Sequence, residues 1–129
     1  MKVHHIGYLV KDVEKAFRRF SALGFVCEQD TILDEQRGIN IMFILKDDVR
    51  VELIAPANNH SVVTDLLKKY RNTAYHICYT SGCFEEDMKH IENDGGIMID
   101  PPCPAVALGG KKVAFFMFPE IGIIEIVEE

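Results

Sequence analysis

An α+β fold built from two paired β-α-β-β-β modules is predicted by three features of this 129-residue sequence. Short runs with period-two alternation of apolar residues are bounded by turn residues, as half-buried strands are. Two stretches instead carry apolar residues at helical spacing, and each follows a strand. The resulting order, strand-helix-strand-strand-strand, occurs twice. A lone unit of this kind cannot cover both faces of its sheet, so two copies must pair. The expected organisation is a single domain over 1–129, with modules at 1–57 and 73–129 joined by a short helix at 61–71.

The elements follow in chain order. Val3 to Val10 alternates around Ile6, Tyr8 and Val10. Asp12 can cap a helix carrying Val13, Ala16, Phe17, Phe20 and Leu23, which Gly24 ends. Phe25 to Leu33 reads as a strand, Asp34 to Gly38 as a turn, and Ile39 to Leu45 as a second strand. Lys46-Asp47-Asp48 turns the chain back into Val49 to Ala55. Ser61 can cap a connecting helix with Val62, Val63, Leu66, Leu67 and Tyr70 on its apolar side. The second module runs from a strand at Ala74 to Thr80 through a helix marked by Phe84, Met88 and Ile91 and ended by Gly95-Gly96. A short strand at Ile97 to Asp100 leads into an irregular loop from Pro101 to Gly110. Strands at Val113 to Phe118 and Ile123 to Glu128 close the order.

The repeat can be laid out residue by residue. His5-Ile6-Gly7-Tyr8 superposes on His76-Ile77-Cys78-Tyr79 at an offset of 71. With no gap, Val13 meets Phe84, Glu14 meets Glu85, Phe17 meets Met88, Phe20 meets Ile91 and Gly24 meets Gly95. Later the offset becomes 73, and Glu52 falls on Glu125. Self-similarity at a nearly fixed offset is the mark of two copies of one supersecondary unit.

Composition narrows the partners. The formal net charge is −6, which argues against nucleic acid, since phosphate binding needs a basic face. The basic doublets Arg18-Arg19 and Lys68-Lys69 read as solvated faces. Lys111-Lys112 lies in a Gly-rich loop and is kept as an anion contact. No apolar run reaches the length of a membrane span, and the charged start with two histidines is unlike a signal peptide. The expectation is a cytoplasmic protein. Cys27, Cys78, Cys83 and Cys103 form no C-x-x-C pair, so reduced thiols are expected rather than a structural zinc site.

One polar pattern emerges from the repeat. Each half opens with a His in its first strand and closes with a Glu in its last: His5 and Glu52, then His76 and Glu125. Both glutamates interrupt apolar strand sequence, in Val51-Glu52-Leu53 and Ile124-Glu125-Ile126. A carboxylate so placed is costly to bury unless it is paired or bound to a metal. Two imidazoles and two carboxylates suit one divalent cation, because the carboxylates offset its charge and the imidazoles supply borderline nitrogen donors. On a six-coordinate ion they leave two positions for water or substrate. Ni²⁺, Zn²⁺, Co²⁺, Fe²⁺ and Mn²⁺ all fit, whereas Ca²⁺ and Mg²⁺ prefer oxygen shells. His4, on the opposite strand face from His5, is read as a non-ligand, as are His60 in a loop and His90 on the polar side of a helix.

These residues resemble the vicinal oxygen chelate superfamily (glyoxalase, bleomycin resistance protein and dioxygenase). The matching stretches are His4-His5-Ile6-Gly7, Phe20-Ser21-Ala22-Leu23-Gly24-Phe25, Val51-Glu52-Leu53-Ile54, Tyr75-His76-Ile77-Cys78, Gly110-Lys111-Lys112-Val113-Ala114-Phe115 and Ile124-Glu125-Ile126-Val127. Their order and spacing cover nearly the whole chain. Within the superfamily the chain is similar to two branches. The His, Glu, His, Glu set resembles that of bacterial glyoxalase I (lactoylglutathione lyase), which isomerises the hemithioacetal of methylglyoxal and glutathione. The stretch Glu52-Leu53-Ile54-Ala55-Pro56 through Ser61 to His76, together with Asp34-Glu35-Gln36-Arg37-Gly38, resembles methylmalonyl-CoA epimerase. That branch usually has Gln at the position of Glu52. The Asp-Pro-Asp-Gly turn common in glyoxalases is Pro119-Glu120-Ile121-Gly122 here.

The resemblance implies a metal-dependent enzyme that moves a proton next to a carbonyl. It assigns the base to Glu125, with Glu52 as symmetric partner in the glyoxalase reading and Glu35 as second base in the epimerase reading. The thiol adduct or acyl-CoA thioester is anionic, and Arg37, Arg50, Lys111 and Lys112 are the candidate contacts. Arg50 shares a strand face with Glu52. A homodimer is implied. The sequence ranks glyoxalase I first and the epimerase second. A metal-free antibiotic-binding resistance protein ranks third, because that class usually lacks the full ligand set. A ring-cleaving dioxygenase ranks below these.

Overall fold

Asp12 is extended (φ −146°, ψ 117°), and its carboxylate accepts the Lys15 N–H, starting α1 at Val13–Ala22. Capping of this kind satisfies one of the donors left open at a helix start. The helix ends as expected: the Leu23 N–H returns to Phe20 O, and Gly24 takes φ +99°, a conformation that disfavours side chains. The computed structural model describes residues 1–129. It contains eight strands and three α-helices, in agreement with the expected α+β class. The chain falls into two compact units, Ile6–Ala74 and Met1–His5 with Tyr75–Glu129.

In the unit Ile6–Ala74, the second half of β1 (Lys2–Leu9), with β2 (Val26–Asp34), β3 (Ile39–Lys46) and β4 (Val49–Pro56), gives the order β2-β3-β4-β1. The β1–β4 pair is parallel and the other two pairs are antiparallel. Val10, Val13, Met42, Ile44, Val51, Leu53 and Ala55 form the core, with Tyr8, Phe17, Phe20 and Phe25 packed on it. Phe20 meets both Tyr8 and Phe25 edge-on at 5.3 Å between ring centres, the arrangement favoured by the ring quadrupole. Each fully buried side chain of this size contributes roughly 1.5–3 kcal/mol.

The other unit repeats the plan. β5 (Thr73–Ser81), α3 (Phe84–Asn93), β6 (Ile97–Pro104), β7 (Lys112–Phe118) and β8 (Gly122–Glu128) give the strand order β5-β8-β7-β6. The β5–β8 pair is again parallel. Phe84, Ile91, Ala114, Phe116, Ile124 and Ile126 pack on one face. Cys78, Ala105, Val113 and Val127 pack on the other.

The duplication extends to the irregularities. The β2–β3 ladder shifts register between Cys27 and Gln29 and again between Gln29 and Ile32. The β6–β7 ladder shifts between Met98 and Asp100 and between Asp100 and Cys103. Each of these positions lies 71 residues beyond its counterpart. α3 ends on Gly95 at φ +100°, as α1 ends on Gly24.

Three expectations are corrected. In β1 the fully buried positions are His5, Gly7 and Leu9, while Ile6 and Tyr8 are half-buried, because both faces of the strand are covered. The connecting helix, α2 (Thr64–Tyr70), has Val63 as its cap residue and no side-chain cap. Ser61 Oγ accepts the Val63 N–H instead. The expected apolar side is not a buried one: Val63 is covered, but Val62 and Tyr70 are 63% and 53% exposed. Finally, β6 does not stop at Asp100. It runs through Pro101, Pro102 and Pro104, where loss of N–H donors is tolerated because β6 is an edge strand with register breaks. No helix is long and apolar enough to cross a membrane.

Candidate metal centre

His5, His76 and Glu125 come from three strands of one sheet. Alternation along β1 and β5 turns both histidines inward, and β8 holds Glu125 beside Cys78 and opposite Phe115. All three side chains are buried, with residue exposures of 1%, 3% and 3%. His5 Nε2 and His76 Nε2 are 3.3 Å apart, and Glu125 Oε2 is 3.1 Å from each. The rings are nearly perpendicular. The His76 ring is braced edge-on by Tyr75 at 4.5 Å and Phe115 at 5.5 Å.

These separations bear on what the cluster can hold. Ligand atoms about 2.1 Å from a transition-metal ion are separated by about 3.0 Å at right angles and about 3.4 Å at the tetrahedral angle. The three observed separations fall within that interval. Glu125 Oε2 is buried and has no hydrogen-bond partner, although two ring nitrogens lie beside it. A buried carboxylate oxygen left in that state is costly, and a cation at the point where the three atoms converge would relieve it. The residues therefore fit a divalent ion with nitrogen and oxygen donors.

Burial pushes the Glu125 carboxyl up, but its contacts with His5 and His76 outweigh this and hold it well below the usual carboxylate range. It is an anion at neutral pH. Cys78 is fully buried beside it. Burial pushes that thiol up to about 12, with the Glu125 charge adding to the effect, so it stays protonated near neutrality.

Glu52 occupies the equivalent place in the unit Ile6–Ala74. It is 6% exposed and pairs in register with Gly7 on one side and Phe43 on the other. Gly7 stands two residues after His5, as Cys78 stands two after His76. Glu35 is exposed in the turn after β2. Of the candidate cations, Arg37 forms an ion pair at 2.9 Å with buried Asp34, which also accepts the Arg37 N–H. Arg50 forms a two-pronged pair with Glu28. Lys111 and Lys112 are exposed, and the Lys112 N–H donates to Glu128.

Two neighbours were missed by sequence reasoning. Cys78 fills the position of Gly7 in the repeat, and that departure was the available signal. His4 belongs to the opposite strand face, yet its ring turns back so that its Nδ1 lies 2.8 Å from His5 Nδ1. Strand alternation alone does not reveal such a contact.

A duplicated β-α-β-β-β fold with buried imidazoles and a carboxylate converging on one point defines a protein suited to bind a divalent cation. The chain belongs to the Glyoxalase/Bleomycin resistance protein/Dioxygenase superfamily, whose family model matches residues 4–115. It is 28% identical over 117 residues to the uncharacterized protein YqjC of Bacillus subtilis (strain 168), covering 88% of this chain and 81% of that protein. The fold is similar to that of the hypothetical protein BH1468 from Bacillus halodurans C-125, with a TM-score of 0.87, 22% identity and coverage of 99% and 94% of the two chains. It is also similar to Streptomyces coelicolor methylmalonyl-CoA epimerase in complex with 2-nitronate-propionyl-CoA. There the TM-score is 0.83 and the identity 20%, with 100% of this chain and 94% of that one covered. At these identities the likeness to the solved structures is one of fold.

Proposed function

We propose that the chain is a divalent-metal-dependent epimerase of an acyl-CoA thioester, of the methylmalonyl-CoA class. The observation that carries the reading is the convergence of Glu125 with His5 and His76 in a fold shared with methylmalonyl-CoA epimerase. This reverses the order given by the sequence, in which glyoxalase I stands first. In this reading His5, His76 and Glu125 hold the cation together with Glu52, which is included because the repeat and the strand register make it the counterpart of Glu125. The cation is Ni²⁺, Zn²⁺ or Co²⁺. It supplies Lewis-acid stabilisation of the negative charge that develops on a carbonyl oxygen.

The remaining chemistry belongs to the side chains. Inverting a carbon next to a thioester needs one group to remove its proton from one face and a second to return a proton to the opposite face. Glu125, ionised and buried, takes the first role. Glu35 takes the second. The anionic CoA portion is met by cations drawn from Arg37, Arg50, Lys111 and Lys112. Lys111 and Lys112 suit this best, since Arg37 and Arg50 already hold carboxylate partners. The reading includes a cytoplasmic homodimer.

One observation favours a second reading. Glu52 is a carboxylate where the epimerase branch usually has an amide, and a His, Glu, His, Glu set is that of bacterial glyoxalase I. Two assays on the Zn²⁺- or Ni²⁺-loaded protein separate the readings. Methylmalonyl-CoA in deuterated water is expected to exchange its α-proton, while methylglyoxal with glutathione is expected to give no thioester absorbance. Thioester formation without exchange would restore the glyoxalase reading. Absence of bound metal after purification and reconstitution would favour the metal-free binding protein.

A further inference from the structure

The turn between β2 and β3 is closed by one buried carboxylate. Asp34 Oδ1 accepts the Arg37 N–H at 3.0 Å, and Arg37 Nη1 donates to Asp34 Oδ2 at 2.9 Å. The Asp34 carbonyl accepts the Gly38 N–H at 2.8 Å. The Asp34 and Arg37 side chains are 5% and 12% exposed. The far end of the turn is also tied down: Arg37 O accepts the Val62 N–H, and Gly38 O accepts the Ala57 N–H. Glu35 and Gln36, at the top, are exposed. The second repeat closes its counterpart without charge. At the offset of 71, Asp34 becomes Ala105, Arg37 becomes Leu108 and Gly38 becomes Gly109. The two glycines share a left-handed conformation, at φ +66° and +68°, and Ala105 and Leu108 pack in an apolar cluster. Replacing a buried ion pair by apolar residues is often neutral or stabilising, so stability alone does not account for the charges in the first repeat. Charged hydrogen bonds add direction: they fix the backbone on both sides of Glu35 and Gln36.

We propose that Asp34 is a positioning residue: its clamp on Arg37 holds the turn in the one shape that presents Glu35 for proton transfer. The inference rests on the epimerase reading above, in which Glu35 is the second acid–base group. A carboxylate on a loose turn samples many positions, and a misplacement of about 1 Å can cost about 10²-fold in rate. Asp34 takes no proton itself, since both its oxygens are engaged by Arg37 and its side chain is covered. The effect is confined to one of the two bases. Glu125 stands on β8, outside the unit that carries the turn.

Inversion by two bases gives each base its own enantiomer, and that separates positioning from general damage. In deuterated water one enantiomer of methylmalonyl-CoA loses its α-proton to Glu125 and the other to Glu35. The test gives each enantiomer separately to the full chain loaded with Zn²⁺. Deuterium gain is read by mass spectrometry and inversion by circular dichroism. Asp34→Asn keeps the side-chain shape and removes the charge that holds Arg37. It is expected to slow inversion, and the exchange of one enantiomer, about 10- to 100-fold. Exchange of the other enantiomer is expected to stay at the wild-type rate, whereas a merely structural defect would slow both alike. In the metal-free chain, the Arg37 and Gly38 amides are expected to lose hydrogen-exchange protection in the same variant. If Asp34→Asn fails to fold, Asp34→Ala combined with Arg37→Leu takes its place, because these are the residues of the second repeat; the ratio of the two exchange rates is then read. Unchanged inversion, an equal loss for both enantiomers, or unchanged amide protection overturns the proposal and leaves the epimerase reading standing. A wild type that exchanges neither enantiomer overturns that reading instead, and the amide comparison still decides whether Asp34 holds the turn.

Discussion

Cys78 lies directly opposite Glu125 across the parallel β5–β8 pair, at the step where Gly7 lies opposite Glu52 in the β1–β4 pair. A thiol thus stands where the first repeat has no side chain. Burial pushes that thiol up to about 12, so almost none of it is thiolate near neutrality. In a thiol titration at pH 8, the exposed Cys83 and Cys27 are expected to react within minutes. Burial, then the charges of Asp30 and Glu14, raise the Cys27 thiol. Cys78 is expected to stay silent until denaturant is added. Rapid reaction of Cys78 in the folded protein would show that the cluster is open to solvent.

Glu125→Gln keeps the size of the side chain and removes the charge. Loss of a positioned base costs roughly 10²- to 10⁴-fold in rate, so α-proton exchange from methylmalonyl-CoA is expected to fall by that factor. The far-ultraviolet circular dichroism spectrum should be unchanged. Wild-type turnover in this variant would remove Glu125 from the role of base.

Acid stability follows from the same carboxylate. Its ordinary value is 4.5, and contacts with His5 and His76 lower it in the folded protein despite burial. The unfolded chain then binds the proton more readily than the folded one. The stabilising contribution is complete above the ordinary value and is lost progressively as the pH falls below it, toward the lowered folded value. Urea midpoints of chelator-treated protein should therefore converge between wild type and Glu125→Gln as pH falls from 6 to 3. A gap that widens on acidification would contradict the assigned direction.

Gly96 gives a test of packing at the end of α3. A Cβ there would meet Ile91 Cγ2 at 2.5 Å, Ile91 O at 2.9 Å and Phe118 Cζ at 2.9 Å. One of those contacts is backbone, which cannot rotate away. Gly96→Ala is expected to cost about 1–3 kcal/mol, measured by urea unfolding.

The repeat and three converging side chains were legible because a charged or imidazole side chain inside an apolar strand is conspicuous, and His5 with His76 and Glu52 with Glu125 are conspicuous at matching places. Helix α1 was legible from Asp12 through Gly24 because cap, apolar spacing and stop signal agree. Three things were not legible. Proline content marked Pro101 to Pro104 as a loop, since sequence does not show that the strand lies at an edge. Apolar spacing around Val62 and Tyr70 suggested a covered helix face, but spacing carries no information about what covers it. The contact between His4 and His5 depends on side-chain rotation, which strand periodicity does not report.

The prolines of β6 have a further effect. Pro101, Pro102 and Pro104 leave the last strand in its unit's order without three amide donors. A strand from another molecule arriving at this border finds too few amides to build a continuous ladder. End-to-end growth of sheets through this border, the route to fibrous precipitate, is obstructed, and an association of two copies through β6 cannot rest on a continuous backbone ladder.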